Sequence, residues 1–178
     1  MQVLGDGHVA VVEFTSRTTC PTFFDELGEV FGRVLPSRAD LRAVIIRSAY
    51  RKGFSYGLDL PKTFQKHGPL LTGANMAGPR MELRALVKHW QRCLSAIAGL
   101  EVPVICAING WCIGSGLDIA SACDIRLASA DAKISLREAR IAIVADLVSL
   151  QRLPPIIGQG LTRELAFTGK DVDAARAL

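Results

Sequence analysis

Along the chain, short apolar runs alternate with longer stretches in which apolar residues recur every three or four positions. HVAVVEF (8 to 14) and LRAVIIRS (41 to 48) are of the first kind and predict strands, the second one buried. Between them PTFFDELGEVFGRVL (21 to 35) predicts an amphipathic helix with Pro21 in its first turn. That order is a βαβ beginning. The stretch HGPLLTGANMAGP (67 to 79) is rich in glycine and proline and predicts a mobile loop, followed by a long helix over 80 to 100. Beyond it VPVICAI (102 to 108) predicts a strand, Asn109-Gly110 a turn, and a helix begins near Gly114. DIRLAS (124 to 129) and AKISL (132 to 136) read as short strands. After Asp146 comes a helical stretch stopped by Pro154-Pro155, and another from 160 to 168. Strands alternating with helices predict an α/β domain with crossover connections. With no internal repeat and no low-complexity tract, 1 to 178 reads as a single domain.

Composition narrows the picture. Of 178 residues, 49% are hydrophobic, enough for one domain with a sizeable core. The five cysteines form no C-x-x-C pair, and several sit inside apolar runs; they read as reduced, buried thiols of an intracellular protein. No basic amino-terminal region precedes an apolar run, and no 18 consecutive apolar residues occur, so secretory and transmembrane readings fail. The net charge of +4 is mild. Arg47, Arg51 and Lys52 stand beside a glycine-rich loop, which suits a phosphate-bearing ligand and equally a solvated surface.

Two familiar motifs are approached and missed in WCIGSGLDI. Ser115 has Ile113 and Leu117 where a serine nucleophile elbow needs glycines, and Ile119 stands at the third glycine of a dinucleotide fingerprint. The histidines His8, His67 and His89 lack metal-site spacing. What survives is a pair of glycine turns, each after an apolar strand: FSYGLDL (54 to 60) and GWCIGSGLD (110 to 118). Each can present a backbone N–H at a helix start, and two such donors on one oxygen form an oxyanion hole. Three carboxylates follow: Asp118, Glu138, and Asp146, which stands alone in the apolar run IAIVADLVSL. An oxyanion hole with several carboxylates suits proton transfer alpha to a carbonyl. Blander readings fit the same residues. Asp146 suits an N-cap of the following helix, Asp118 a first-turn acid facing the helix dipole, and Glu138 a solvated charge beside Arg137 and Arg140. Asp59 reads as a helix cap, and Phe64 and Trp90 as core.

Over PVICAINGWCIGSGLDIASACDIRLASADAKISLREARIAIVADLVSLQRLPPIIG the chain resembles the crotonase superfamily of enoyl-CoA hydratases and isomerases. The resemblance implies a ββα spiral fold, without the C-terminal helical region that closes the acyl pocket and builds a trimer or dimer of trimers in relatives. It implies an acyl-CoA substrate whose thioester oxygen meets the amides of Leu58 and Ser115, with contacts from Tyr56, Gly57, Leu58, Asp59, Leu60 and Ser115. No cofactor beyond the substrate's own coenzyme A, and no metal, is implied. Asp118 and Glu138 match the hydratases' acidic pair. Asp146, in IVADLVSLQRLP, matches the third acid of the Δ3,5-Δ2,4-dienoyl-CoA isomerases, which makes it a proton donor at the far end of a dienoyl chain. The implied compartment is mitochondrial or peroxisomal in a eukaryote and cytoplasmic in a bacterium. Ala142 and Val148 replace glycines of the isomerase pattern, and Pro61 replaces a CoA-contacting lysine, for which Lys62, Arg51 or Lys52 can substitute. A chain stripped of the C-terminal helices is expected to expose apolar surface and assemble weakly. The alternatives are a hydratase or Δ3-Δ2 enoyl-CoA isomerase using Asp118 and Glu138, an inactive fragment, and a non-catalytic CoA- or RNA-binding relative. The chain lacks the basic stripe with interleaved aromatics that RNA binding would use.

Overall fold

The computed structural model describes residues 1–5, 7–72 and 76–177. Two sheets form its frame. The larger contains β1 (Gln2–Leu4), β2 (Val9–Phe14), β3 (Ala43–Ser48), β5 (Val104–Ile108) and β7 (Ile125–Ala128), side by side in that order. The smaller has the order β4 (Gly53–Ser55), β6 (Trp111–Ile113), β8 (Lys133–Ser135) and β9 (Asp171–Asp173). In the larger sheet Val12 pairs with Ile46 and Ile46 with Cys106, which forms a fully buried row. Alternate residues of β2 and β5 face this core because strand side chains alternate sides.

Sharing one buried core with the sheet are α1 (Pro21–Glu29), prolonged through a π-helical turn Val30–Val34, and α3 (Ala77–Ala98). Phe23, Phe24, Leu27 and Phe31 of the first meet Trp90, Cys93, Leu94 and Ile97 of the second, spacings that lie on one helix face. Phe24 and Trp90 stack at 4.7 Å, a pairing worth about 0.5–1.5 kcal/mol beyond its buried area. Trp90 is therefore core, as expected; Phe64, on α2 (Leu60–His67), is not, being 47% exposed. The helix expected from residue 80 already begins at Ala77, and part of the expected loop is helical on both flanks; its residues 73–75 lie outside the described residues.

The topology carries a repeat that the sequence does not. A strand in the large sheet, one in the small sheet and a helix follow one another as β3–β4–α2, then as β5–β6–α4 (Ser115–Ala122), then as β7–β8 and a 3-10 turn Glu138–Ile141. The expected ββα spiral is this repeat. Since β4, β6 and β8 are adjacent and parallel, the segments leaving their C-terminal ends emerge on one edge. These segments are Tyr56–Leu58, Gly114–Ser115 and Glu138.

Chain reversal after the spiral uses α5 (Ser149–Arg152), α6 (Pro154–Thr168) and α7 (Ala174–Ala177), so Pro154 opens a helix as well as closing the previous one. Among the described residues Leu127 and Phe167 are 58% and 78% exposed. All five cysteines are free thiols, four of them buried. No helix among the described residues is long and apolar enough to cross a membrane, and none of their acidic, histidine or cysteine side chains cluster as a metal site.

Candidate active site

The two glycine turns meet. Gly57 has a left-handed φ of 84°, and a Cβ there would come within 3.1 Å of the Ile113 carbonyl. Gly114, at φ 52° and ψ −117°, occupies backbone space closed to other residues. A Cβ on it would lie 3.9 Å from the Gly57 Cα and 2.8 Å from Glu138 Oε1. The turns after β4 and β6 thus touch, with the Glu138 carboxylate against the second.

Thr19 joins the first turn from outside. Its N–H donates to the Gly57 carbonyl and its carbonyl accepts from the Asp59 N–H, each at 2.9 Å. With the residues on both sides facing Thr19, the Leu58 amide between them is turned the opposite way. Ser115 opens α4, where an N–H has no acceptor within its own helix. Its hydroxyl pairs with the Thr19 hydroxyl at 2.6 Å, both residues being buried. Sequence reasoning missed Thr19, because 96 positions separate the two hydroxyls and no local pattern joins them.

The acids divide into three situations. Asp118 is 1% exposed and accepts from the Ser149 N–H at 2.9 Å and from the Ser149 hydroxyl. The carboxylate that caps α5 is therefore Asp118, from α4; the residue at the N-cap is Val148, and Asp146 does not cap. Burial pushes the Asp118 carboxyl well above the usual range; the Ser149 bonds oppose this, and the charges of Glu138 and Asp146 add to it. Glu138 is half-buried, with Oε2 enclosed and without a hydrogen-bond partner among the described residues. It is not the solvated charge of the blander reading. Neighbouring Arg137 is committed to Asp171 through two 2.9 Å bonds and lies over the Trp111 ring. Burial raises the Glu138 carboxyl, its own backbone amide opposes, and the Asp146 charge raises it further.

Asp146 sits among Ile141, Ile143 and Val144, all exposed, and is exposed itself, so the apolar run does not sink it into a channel. Protein packed to one side still raises its carboxyl by removing water, its own amide opposing. Burial moves Glu138 and Asp146 in the same direction, so direction alone does not divide base from acid. Gln91 of α3, also missed in the sequence, donates from Nε2 to the Asp146 carbonyl at 2.5 Å.

The segment carrying Asp146 is bracketed by the two positions where the family resemblance implies glycine. Ala142 and Val148 both have left-handed backbone, at φ 57° and 80°, a conformation that favours glycine. For a β-branched residue this is a real outlier, and such strain costs on the order of 1–3 kcal/mol. Ala142 is exposed and has no packing to lose. Ala142→Gly should therefore stabilise the fold by roughly 0.5–1 kcal/mol, read in urea unfolding as a higher midpoint with unchanged slope.

A second stability prediction concerns Asp118. The folded chain holds its proton more tightly than the unfolded chain does. The resulting stabilisation is complete below the ordinary carboxylate range and is lost as pH rises through the raised pKa. Asparagine can accept the Ser149 bonds without the buried charge. Asp118→Asn should thus be the more stable form at neutral pH, by about 1 kcal/mol or more, and should flatten the loss of stability with rising pH. Unfolding at a series of pH values reads both.

Of the expected ligand contacts, Tyr56, Gly57 and Leu58 line the first turn, while Leu60 begins α2. Asp59 caps that helix, accepting from the Lys62 N–H at 3.2 Å, as expected. The anticipated basic cluster is partly engaged, since Arg47 pairs with Glu13 at 2.8 Å. Arg51 and Lys52 are exposed, and Lys62 lies 3.6 Å from the Asp59 carboxylate. A cavity of about 640 Å³ is walled by Leu117, Ala120 and Ser121 of α4 and by residues of α6; none of the three acids lines it.

Comparison with known proteins adds the relationships. The enoyl-CoA hydratase/isomerase family model matches residues 5–178. A mitochondrial Δ3,5-Δ2,4-dienoyl-CoA isomerase of Dictyostelium discoideum is 40% identical over 158 residues, covering 87% of this chain and 52% of the relative. A peroxisomal protein of that name from Arabidopsis thaliana is 41% identical over 135 residues, covering 76% and 49%. Among solved structures, an enoyl-CoA hydratase from Bacillus anthracis superposes with a TM-score of 0.84 at 29% identity, over 99% of this chain and 65% of that one. The chain spans about half the length of the curated relatives it matches.

Proposed function

Because the chain belongs to the enoyl-CoA hydratase/isomerase family, we propose that it isomerises 3,5-dienoyl-CoA to 2,4-dienoyl-CoA. The observation that carries this reading is the third acid: Asp146 raises the Glu138 carboxyl by its charge, and Glu138 itself stands against the second glycine turn. The relatives of that name agree with it.

The thioester oxygen is held by the Leu58 and Ser115 amides. Glu138 removes a proton from C2, and the electron pair left behind delocalises onto that oxygen and along the diene. The two amides stabilise the resulting dienolate, an effect for which loss of one donor typically costs about 3 kcal/mol in the barrier. Asp146 delivers a proton to C6, so the double bonds finish at C2 and C4, conjugated with the thioester. A raised Glu138 pKa makes it a stronger base while it stays ionised, and a raised Asp146 pKa keeps a proton available for delivery. Asp118, bound to Ser149, anchors the Asp146 segment from behind. The chain needs no cofactor of its own in this scheme, coenzyme A being part of the substrate.

A hydratase would use Asp118 and Glu138 to activate water. The commitment of Asp118 to Ser149 weighs against it. The deciding experiment is a spectroscopic assay on the purified chain with a 3,5-dienoyl-CoA. Growth of the conjugated 2,4-dienoyl absorbance supports the isomerase; a chain that only hydrates 2-enoyl thioesters overturns it in favour of the hydratase. The names of the similar isomerases place those proteins in mitochondria and peroxisomes, and the same compartments are proposed if this chain is eukaryotic.

A further inference from the structure

The two amides proposed to hold the thioester oxygen belong to separate turns of the spiral, and their separation decides whether one oxygen can meet both. Glycines at 57 and 114 let the turns approach but do not fix them, since glycine is the most freely moving residue. Thr19 touches both. Its backbone runs beside the first turn, with its N–H on the Gly57 carbonyl and its carbonyl on the Asp59 N–H, at 2.9 Å each. Its hydroxyl reaches Ser115, the residue that carries the second amide, at 2.6 Å. Neighbouring contacts thicken the attachment: the Arg17 carbonyl accepts from the Tyr56 N–H at 2.8 Å, and the Thr18 hydroxyl donates to Asp59 at 3.1 Å. Thr19 is 1% and Ser115 3% exposed, so little water competes for the hydroxyl pair.

We infer that Thr19 is a positioning residue that rivets the two oxyanion turns together, its backbone holding the Leu58 side and its hydroxyl the Ser115 side. The inference rests on the proposed assignment of those amides. It also explains what the Ser115 side chain adds, since glycine or alanine would supply the amide but could not accept the rivet.

Thr19→Val tests this, because valine has nearly the same shape and keeps both backbone bonds while deleting the hydroxyl. With a 3,5-dienoyl-CoA, kcat should fall about tenfold with KM nearly unchanged, as expected for slight misplacement of a group that acts in the transition state. Thr19→Ser, which restores the hydroxyl, should recover most of the rate. Ser115→Ala should lower kcat similarly, and the double variant should be no worse than either single one, since both remove the same link. Losses that multiply in the double variant, or a change confined to KM, overturn the rivet.

A readout free of turnover separates this from the functional reading. The amide order parameter of Ser115 should drop below the rigid value of about 0.85 in Thr19→Val and return in Thr19→Ser, while that of Leu58, still held by the Thr19 backbone, should stay high. A Ser115 amide as rigid in Thr19→Val as in the parent overturns the rivet whatever the activity. A parent chain inactive on every dienoyl and 2-enoyl thioester overturns the isomerase reading instead, and the order parameters then still decide the coupling.

Discussion

Asp146→Asn should slow dienoyl isomerisation by about 10²–10⁴-fold, the range that a positioned proton donor contributes. Asparagine has nearly the size of aspartate, and the contact from Gln91 is to the backbone carbonyl, so the segment should keep its place. What disappears is a proton that can be given at C6 and later recovered. The parent rate should be bell-shaped in pH: it falls on the acid side as Glu138 protonates and on the alkaline side as Asp146 ionises. Each limb should lie higher in pH than the same carboxyl would place it in the unfolded chain, since both carboxyls are raised. Glu138→Gln should be the next most damaging change and Asp118→Asn the least. If Asp146→Asn turns over dienoyl thioesters as fast as the parent, the dienoyl assignment is wrong and Glu138 with Asp118 must account for the chemistry.

The second large effect is expected at Gly114, where one methyl group meets two obstacles. Alanine cannot adopt φ 52° with ψ −117° without strain of roughly 1–3 kcal/mol. Its Cβ would also stand 2.8 Å from Glu138 Oε1, and the carboxylate, being the movable partner, would swing away. The change therefore injures both the second amide and the base. Gly114→Ala should lower the unfolding midpoint and reduce kcat by more than about 10²-fold, the scale for losing an oxyanion donor. A variant that unfolds early yet retains full kcat at low temperature would show that the turn matters for stability alone.

The strands β2, β3 and β5 were legible because five or six residues are enough to display a strand's apolar character. Of the three-residue strands, β8 was legible inside the apolar stretch AKISL, whereas β1, β4, β6 and β9 were not, since so few positions cannot express a period; β4 and β6 read as parts of glycine turns. The spiral was invisible as a repeat because its units share connectivity and not side chains. At the site, residue type revealed the acids and glycines, and family resemblance assigned their roles. Partnership remained hidden. Nothing local tells that Asp118 meets Ser149, 31 positions away, or that this contact, and not Asp146, supplies the helix cap. The apolar run around Asp146 does not fix its depth: Ala145 and Leu147 on either side of it are buried, whereas Asp146 itself and Ile141, Ile143 and Val144 are exposed.

The left-handed residues Ala142 and Val148 also define how close the chain lies to a different version of itself. Alanine and valine codons each become glycine codons through one change at the second base. The torsion at either end of the Asp146 segment can thus be released by a single-nucleotide substitution. A random library screened for heat resistance should reach Ala142→Gly early and meet no steric barrier there, because the site is exposed. Such a screen scores only survival of the fold. Since glycine is the residue that the isomerase pattern implies at this position, selecting the same library on turnover should retain it as well.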